Sequence, residues 1–441
     1  MNKIFTTLKN IFSIDELRNR ILNTLLFITI FRLGAHIVLP GVDASKLSKD
    51  QGGLLGLLDM FVGGAFSNAS IFSLGIMPYI SASIAIQLLT IALPYFQKMQ
   101  KDGEAGRRKL NQITRVLTIF VTAAQAISIL STNVTIPTEA LLVSRSWFVI
   151  YGTIFLVAGT IFCMWLGEKI TDKGIGNGIS MLIMIGIVAR FPGAILNEFT
   201  TNGLSKALLT IIEMVALYFI IMFAVMLTQA IRRVQIQYAK QVVGNKAVGS
   251  GQRQYLPLKL NTPGVMPIIF AQALMFIPST VAGLFAEKSE MAQSISTTFA
   301  DFTSWQYNIL YAILIIVFTF FYTAISINPT QIADDMKRGG GFVPGIKPGN
   351  DTADYISNIL DRITLPGAIM LAIVAILPGI ANLFGITRGL SAFFGGTSLL
   401  ILVGVVLDTL QQIESYLLMR RYEGLMKSGR VKGRTEDLVK A

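Results

Sequence analysis

The stretch at residues 147–166 reads WFVIYGTIFLVAGTIFCMWL and contains no charged side chain. A helix needs roughly 20 apolar residues to cross a bilayer, because its backbone polar groups must be satisfied within the segment. The stretch therefore predicts a transmembrane helix. The whole chain of 441 residues is 53% hydrophobic and only 14% charged, which is more apolar surface than a soluble core can bury.

Similar stretches recur along the chain. We predict ten spans, at Ile21–Leu39, Ser73–Leu93, Thr114–Leu130, Trp147–Leu166, Ile175–Ala189, Ala207–Leu227, Val265–Phe285, Ile309–Ile327, Leu365–Phe384 and Thr397–Leu418. The ends of the fifth and tenth stay open, because the fifth runs into Arg190 and the tenth carries Asp408. The first lacks a following small-residue cleavage site and is predicted to be retained rather than cleaved as a signal.

The basic residues give the orientation, because they accumulate on the cytoplasmic side of short loops. Twenty-nine of the 37 lysines and arginines fall on the side that holds both chain ends. Both termini are therefore predicted to be cytoplasmic. Dividing the spans in the loop after Phe191 gives five on each side, and an odd number produces halves of opposite orientation. We predict two inverted halves, residues 1–195 and 196–441.

A short apolar segment lies between the first two spans, where residues 52–68 read GGLLGLLDMFVGGAFSN. Its apolar part, Leu54 to Phe66, would rise only about 20 Å as a helix and cannot span. Two interpretations remain open: an interfacial helix, or a movable re-entrant segment with glycines as flexible ends.

Two long basic loops face the predicted cytoplasmic side. The loop at 232–260 contains VQIQY and YLPLKL on either side of Gly244-Asn245, which predicts a projecting hairpin. The loop at 328–362 includes MKRGGGFVPGIKPG, and its glycines and prolines predict irregular structure. Loops of this length usually have a function, so both are candidate docking surfaces. The alternative for the basic charge is attraction to anionic lipid headgroups.

Several kinds of chemistry lack the residues they need. His36 is the one histidine, no G-x-x-x-x-G-K-[ST] occurs, and GIGNG at 174–178 does not match a dinucleotide fingerprint. We predict no enzyme activity, no cofactor and no metal site. An ion-coupled solute transporter is the rival function, but its intramembrane candidates, Arg32, Glu213 and Asp408, are better explained as structural or snorkelling groups.

Seven stretches resemble the SecY family, the pore subunits of the Sec translocon. They are RLGAHIVLPGVD at 32–43, LGIMPYISASIAIQLL at 74–89, GRRKLNQITR at 106–115, KGIGNGISMLI at 173–183, YLPLKLNTPGVMP at 255–267, GFVPGIKPG at 341–349 and FGGTSLLILV at 394–403. The resemblance implies an all-α membrane protein with ten transmembrane helices in two inverted five-helix halves, forming an hourglass channel that passes secretory polypeptides across the membrane and membrane proteins sideways into it.

The same resemblance assigns three sets of pore residues. The re-entrant plug would be 54–66, with apolar residues Leu54, Leu55, Leu57, Leu58, Met60, Phe61, Val62 and Phe66. The lateral gate between the second and seventh helices would use Ser81, Ser83, Gln87, Thr262 and Gln272, whose weak hydrogen bonds suit an interface that opens. From the residues alone, ordinary hydrogen bonding between packed helices is the alternative. The constriction ring would be Ile76, Ile80, Ile179, Ile183, Ile269 and Ile401.

Partners are also implied by the resemblance. They are the SecE and SecG subunits, the SecA ATPase, the ribosome, unfolded secretory and membrane polypeptides, and the lipid bilayer of the bacterial cytoplasmic membrane, with no small-molecule substrate. The docking residues for SecA or the ribosome would be Arg232, Arg233, Lys240, Lys246, Arg253 and Lys347. Bacterial members commonly have arginine where this chain has Lys347, and lysine lacks the planar fork of arginine.

Overall fold

The computed structural model describes residues 14–47, 59–131, 138–202, 207–238, 241–243, 246–248, 253–262, 264–272, 274–275, 294, 298–299, 301 and 303–427. The principal helices are α1 Asp15–Gly34, α2 Met77–Ala92, α3 Pro94–Lys101, α4 Gly103–Ser131, α5 Arg145–Lys173, α6 Gly178–Asn202, α7 Ala207–Gln229, α8 Trp305–Ser326, α9 Pro329–Arg338, α10 Asn350–Leu383, α11 Arg388–Ser391 and α12 Gly396–Lys427. Strands are β1 Ile231–Tyr238, β2 Gln241–Val243, β3 Lys246–Val248, β4 Arg253–Lys259 and β5 Gly341–Phe342.

Each predicted span contains helical residues. The seventh is helical over residues 266–272 and 274–275, and its residues beyond 275 lie outside the described part. Within the described ranges, seven helices are long and apolar enough to cross a membrane. An eighth is added if α2 and α3, which meet at a bend of 103°, count as one span.

The outward faces of these helices are apolar. On α7, Leu208 is 71% exposed and Tyr218 is 64% exposed, while Thr210, Leu217 and Ala224 on the opposite face are buried. A soluble protein would present charges at such exposed positions. The distribution is that of a helix bundle in lipid, and the chain is a multi-pass membrane protein.

The end of the first predicted span is wrong. Helix α1 ends at Gly34, five residues before Leu39, because the chain then pairs with the segment that follows the predicted plug. The N–H of Leu39 donates to the carbonyl of Ala69 at 2.9 Å, and the N–H of Ile71 donates to Ile37 at 3.0 Å. These two bonds tie residues 37–39 to the segment that leads into α2.

The basic loop at 232–260 forms the predicted hairpin. Strands β1 and β4 pair antiparallel from Ile231 opposite Lys259 to Gln237 opposite Arg253. Val234 and Ile236 point to one buried face with Leu258 and Ile356. The hairpin is therefore packed against α10 rather than solvated on both sides.

The prediction of irregular structure for 328–362 is wrong in part. Helix α9 begins after Asn328, whose side-chain oxygen accepts from the N–H groups of Thr330 and Gln331. Gly341 and Phe342 then add β5 to the edge of β1. The N-cap and the ladder satisfy backbone groups that composition alone suggested would be left to solvent.

The chain divides into two compact units. Described residues up to Arg190, together with those from Val405 onward, form the first unit, and those from Phe191 to Gly404 form the second. A core in the first unit contains Leu39, Ala69, Leu130, Phe148 and Leu156. The division into inverted halves 1–195 and 196–441 stays a prediction.

Candidate functional site

Four of the six isoleucines predicted to form the ring lie in the first unit, at the start of α2 and on α6. Ile76 is the N-cap residue of α2 and is buried, and the N–H of Ile80 donates to its carbonyl at 3.1 Å. Ile179 and Ile183 lie one turn apart on α6. In the second unit, Ile269 lies in the helical residues 266–272. Ile401, near the start of α12, is 3% exposed.

A small cavity is lined by predicted ring residues and predicted plug residues. Its volume is about 10 Å³, and its lining includes Ile76 and Ile183 from the ring with Phe61 and Val62 from the plug segment. Ile80 and Ile179 are not part of this lining. The volume is on the order of that needed by one water molecule, but the walls lack the polar partners that hold one. The lining of this cavity is therefore apolar.

The described part of the plug begins at Asp59. Residues 59–61 are helical and the chain then turns repeatedly until α2 begins. Met60, Phe61, Val62 and Phe66 are all buried. The predicted plug residues Leu54, Leu55, Leu57 and Leu58 lie outside the described residues. The described part of the predicted plug is a compact turn with buried apolar side chains.

Charged groups that the sequence interpretation did not assign to the plug hold this turn. Asp59 forms an ion pair with Arg190 of α6, and its Oδ1 accepts from the N–H of Ser67 at 2.8 Å. Arg190 also donates to the Ser67 hydroxyl at 2.9 Å. Arg32 of α1 donates to the carbonyl of Gly63 at 2.7 Å. The available signal was an aspartate and two arginines within apolar segments, since such groups usually pair.

Two glycines allow the turn to lie close to Arg32 of α1 and Arg190 of α6. Gly63 and Gly64 have φ of +67° and +90°, a region that side chains disfavour. A Cβ on Gly63 would lie 2.8 Å from Arg32 Nη1, and one on Gly64 would lie 3.2 Å from Arg190 Nε. On α6, a Cβ at Gly186 would lie 2.3 Å from the carbonyl oxygen of Phe61. The turn therefore contacts helix backbone directly.

The start of α6 is anchored by two other helices of the first unit. The hydroxyl of Thr24 on α1 accepts from the N–H of Ile175 at 3.0 Å, and the side-chain oxygen of Gln412 on α12 accepts from the N–H of Gly176 at 2.8 Å. Gly178 lies against the backbone of Gly167 on α5. These contacts fix the helix that carries Ile179 and Ile183.

The predicted gate residues have local partners. The Ser81 hydroxyl donates to Met77, Gln87 donates to Ser83 at 3.4 Å, and Thr262 donates to Lys259. Gln272 is buried. These contacts do not test the gate, which stays a prediction.

The predicted docking residues occupy the hairpin and the loop before α10. Arg232 and Arg233 are exposed on β1, and Lys347 is exposed in the loop. Lys246 and Arg253 lie on β3 and β4, and Lys240 lies outside the described residues. The hairpin thus presents at least two arginines to solvent.

The acidic groups do not form a metal centre in the described part of the chain, where no group of three or more His, Cys, Asp or Glu is close enough to hold an ion. Glu198 is fully buried and accepts hydrogen bonds from the N–H and hydroxyl of Thr387. Asp408 is exposed on α12. The Glu198 carboxylate therefore has a structural role.

Comparison with known proteins places the chain in one family. The SecY family model matches residues 70–410. Curated relatives are protein translocase subunits SecY from Halalkalibacterium halodurans, 43% identical over 96% of this chain and 100% of the relative, and from Streptomyces griseus, 41% identical with the same coverage.

Solved structures share the fold. A protein-conducting channel superposes with a TM-score of 0.65 at 16% identity, covering 90% of this chain and 92% of that one. Sec61 from the canine ribosome–channel complex gives a TM-score of 0.60, also at 16% identity and with the same coverage. Because a family model matches most of the chain and relatives match it nearly end to end, the chain belongs to the SecY family of translocase channel subunits, which are not enzymes.

Proposed function

We propose that the chain conducts unfolded polypeptides across the membrane through a pore closed by the isoleucine ring and the plug. The observation that carries this is the apolar cavity where Ile76 and Ile183 meet Phe61 and Val62. The rival, an ion-coupled transporter, needs a carboxylate positioned for coupling. The match of residues 70–410 to the SecY family does not support that rival.

The chemistry of the ring explains passage without sequence selection. Branched apolar side chains exclude water from a narrow opening, so small ions are blocked when it is closed. Such side chains offer no directional hydrogen bond to a passing chain. Ile76, Ile80, Ile179, Ile183, Ile269 and Ile401 would therefore form a compliant closure around any extended peptide rather than a binding site.

The moving parts follow the family pattern. Two inverted halves, 1–195 and 196–441, would enclose an hourglass pore with residues 54–66 as its plug. Ser81, Ser83 and Gln87 would face Thr262 and Gln272 across a lateral gate, through which membrane proteins leave sideways. Gate contacts worth about 0.6–2 kcal/mol each are weak enough to open reversibly.

Energy for transport would come from a partner on the basic face. Arg232, Arg233, Lys240, Lys246, Arg253 and Lys347 would dock the SecA ATPase or the ribosome, and SecE and SecG would complete the channel in the bacterial cytoplasmic membrane, with both termini of this chain in the cytoplasm. Exposure of Arg232 and Arg233 on a packed hairpin supports this role.

Site-specific crosslinking tests the pore. A secretory chain is stalled in transit, and Ile80→Cys and Ile183→Cys variants, made after replacing the buried native Cys163 by alanine, are probed for disulfide or maleimide crosslinks. Both positions are expected to crosslink to the stalled chain.

Val188→Cys is the matched control, because Val188 lies on the same helix α6 as Ile183 but is 40% exposed. It is expected to give no crosslink. Equal crosslinking at Val188 and Ile183, or none at Ile80 and Ile183, would contradict the proposed pore.

A further inference from the structure

The plug turn is organised around one carboxylate. Asp59 Oδ1 accepts from the N–H of Ser67 at 2.8 Å, and the Asp59 carbonyl accepts from the N–H of Gly64 at 2.9 Å. The Ser67 hydroxyl in turn donates to the Gly64 carbonyl. Asp59 thus stabilises the turn by hydrogen bonds within it, and its second carboxylate oxygen, Oδ2, remains available to pair with another helix.

Arg190 reaches both ends of that turn. Its guanidinium pairs with Asp59 Oδ2 and donates to the Ser67 hydroxyl at 2.9 Å. The side chain of Asp59 is 6% exposed and that of Arg190 is 37% exposed. A carboxylate this buried depends on its partner, because removing one member leaves an uncompensated charge.

A second helix holds the middle of the turn. Arg32 on α1 donates to the carbonyl of Gly63 at 2.7 Å. The turn is therefore bonded to α1 at Gly63 and to α6 at Asp59 and Ser67. Helix α6 also carries Ile183, which lines the same small cavity as Phe61 and Val62.

We propose that Asp59 and Arg190, with Ser67 and Arg32, form a latch that keeps the plug in the closed position and sets how strong a signal sequence must be to open the channel. The inference rests on the proposed plug. Apolar contact at Phe61 and Val62 excludes water but is non-directional. The Asp59–Arg190 ion pair favours one position of the turn, because the pair forms only when the turn lies against α6 and breaks when the turn moves away.

The latch predicts a specific pattern in a double-mutant cycle. Asp59→Asn and Arg190→Gln are each made in the complete translocon, and ion conductance of the resting channel and export of a reporter with a defective signal sequence are measured. Each single variant is expected to raise both by roughly tenfold. The double variant is expected to be no leakier than the worse single variant, because both remove the same interaction.

Two further variants keep the test decisive. Arg190→Lys retains the charge but cannot contact Asp59 and Ser67 together, so an intermediate leak is expected even if Asp59→Asn does not assemble. Arg115→Gln breaks the exposed Arg115–Glu168 pair at 2.7 Å, away from the plug, and is expected to leave the leak unchanged.

Wild-type leak in Asp59→Asn, Arg190→Gln and Arg190→Lys would overturn the latch, as would additive effects in the double variant. Crosslinking of the stalled chain to Ile183→Cys separates this failure from failure of the pore itself. If those crosslinks form while the leak stays at the wild-type level, the pore stands and the latch is wrong.

Discussion

The side-chain oxygen of Gln412 accepts a hydrogen bond of 2.8 Å from the backbone N–H of Gly176. Gly176 lies in the turn that precedes α6, so this bond connects α12 to the helix that carries two ring isoleucines. We predict that Gln412→Ala destabilises the first unit by about 0.5–1.5 kcal/mol, because the N–H of Gly176 loses its protein acceptor in a part-buried hydrogen bond. The measurement is thermal unfolding of the purified complex, together with resting ion conductance.

Gln411→Ala is the matched control for this change. Gln411 is the neighbour of Gln412 on α12 and, like it, is exposed, and its replacement also removes one amide side chain from the same helix. We expect wild-type behaviour from it. Equal loss of stability in both variants would mean that the effect comes from α12 itself and not from the bond to Gly176.

Gly186 gives a prediction about close packing. A Cβ there would lie 2.3 Å from the carbonyl oxygen of Phe61, so Gly186→Ala must push the plug turn away from α6, at a cost of about 1–3 kcal/mol. We expect higher resting ion conductance, measured in planar bilayers. Gly193→Ala, on the same helix, would meet nothing within 4 Å and should be neutral or slightly stabilising. An unchanged conductance in Gly186→Ala would mean that the turn tolerates displacement.

Much of the fold could be predicted because each helix in lipid must satisfy its own backbone polar groups and carry a long apolar stretch, which is visible in its local sequence. The apolar runs gave the spans, and the extended runs around Gly244-Asn245 gave the β1–β4 hairpin. The end of α1 could not be predicted this way. Residues 35–39 are as apolar as the helix before them, and the bond between Leu39 and Ala69 depends on a segment about thirty residues further along the chain.

The sequence indicates the apolar residues of the candidate site but not its charged contacts, again because those contacts are distant in sequence. The family pattern predicts apolar plug residues, which stay a prediction, but it does not indicate the partners of Asp59. Asp59 and Arg190 are 131 positions apart in sequence, and nothing in either local stretch indicates the other. Opposite charges in apolar segments predict that pairing occurs, but only the packed structure shows which groups pair.

Ile401 tests the ring in the second unit, where it is 3% exposed near the start of α12. We predict that Ile401→Asn loosens the closed channel and relaxes signal selectivity, because an amide brings water into an apolar constriction. Resting ion leak and export of a reporter with a defective signal are the measurements. Ile401→Val, which keeps a branched apolar side chain at a cost of about 0.5–1.5 kcal/mol, should retain closure. Unchanged leak and export in Ile401→Asn would argue against a place in the ring.

The hairpin gives a prediction about docking that does not depend on the ring or the plug. Arg232 is exposed at the start of β1, where reversal of its charge disturbs no buried contact of Val234 or Ile236. We predict that Arg232→Glu weakens binding of the SecA ATPase by about threefold to tenfold and reduces the dependence of binding on salt, because surface charges act mainly on association. Binding to the reconstituted channel is measured over a salt series. Lys46→Glu reverses an exposed charge predicted to lie on the opposite side of the membrane, so it changes net charge equally. If both variants weaken binding alike, the net charge of the protein and not the hairpin would account for docking.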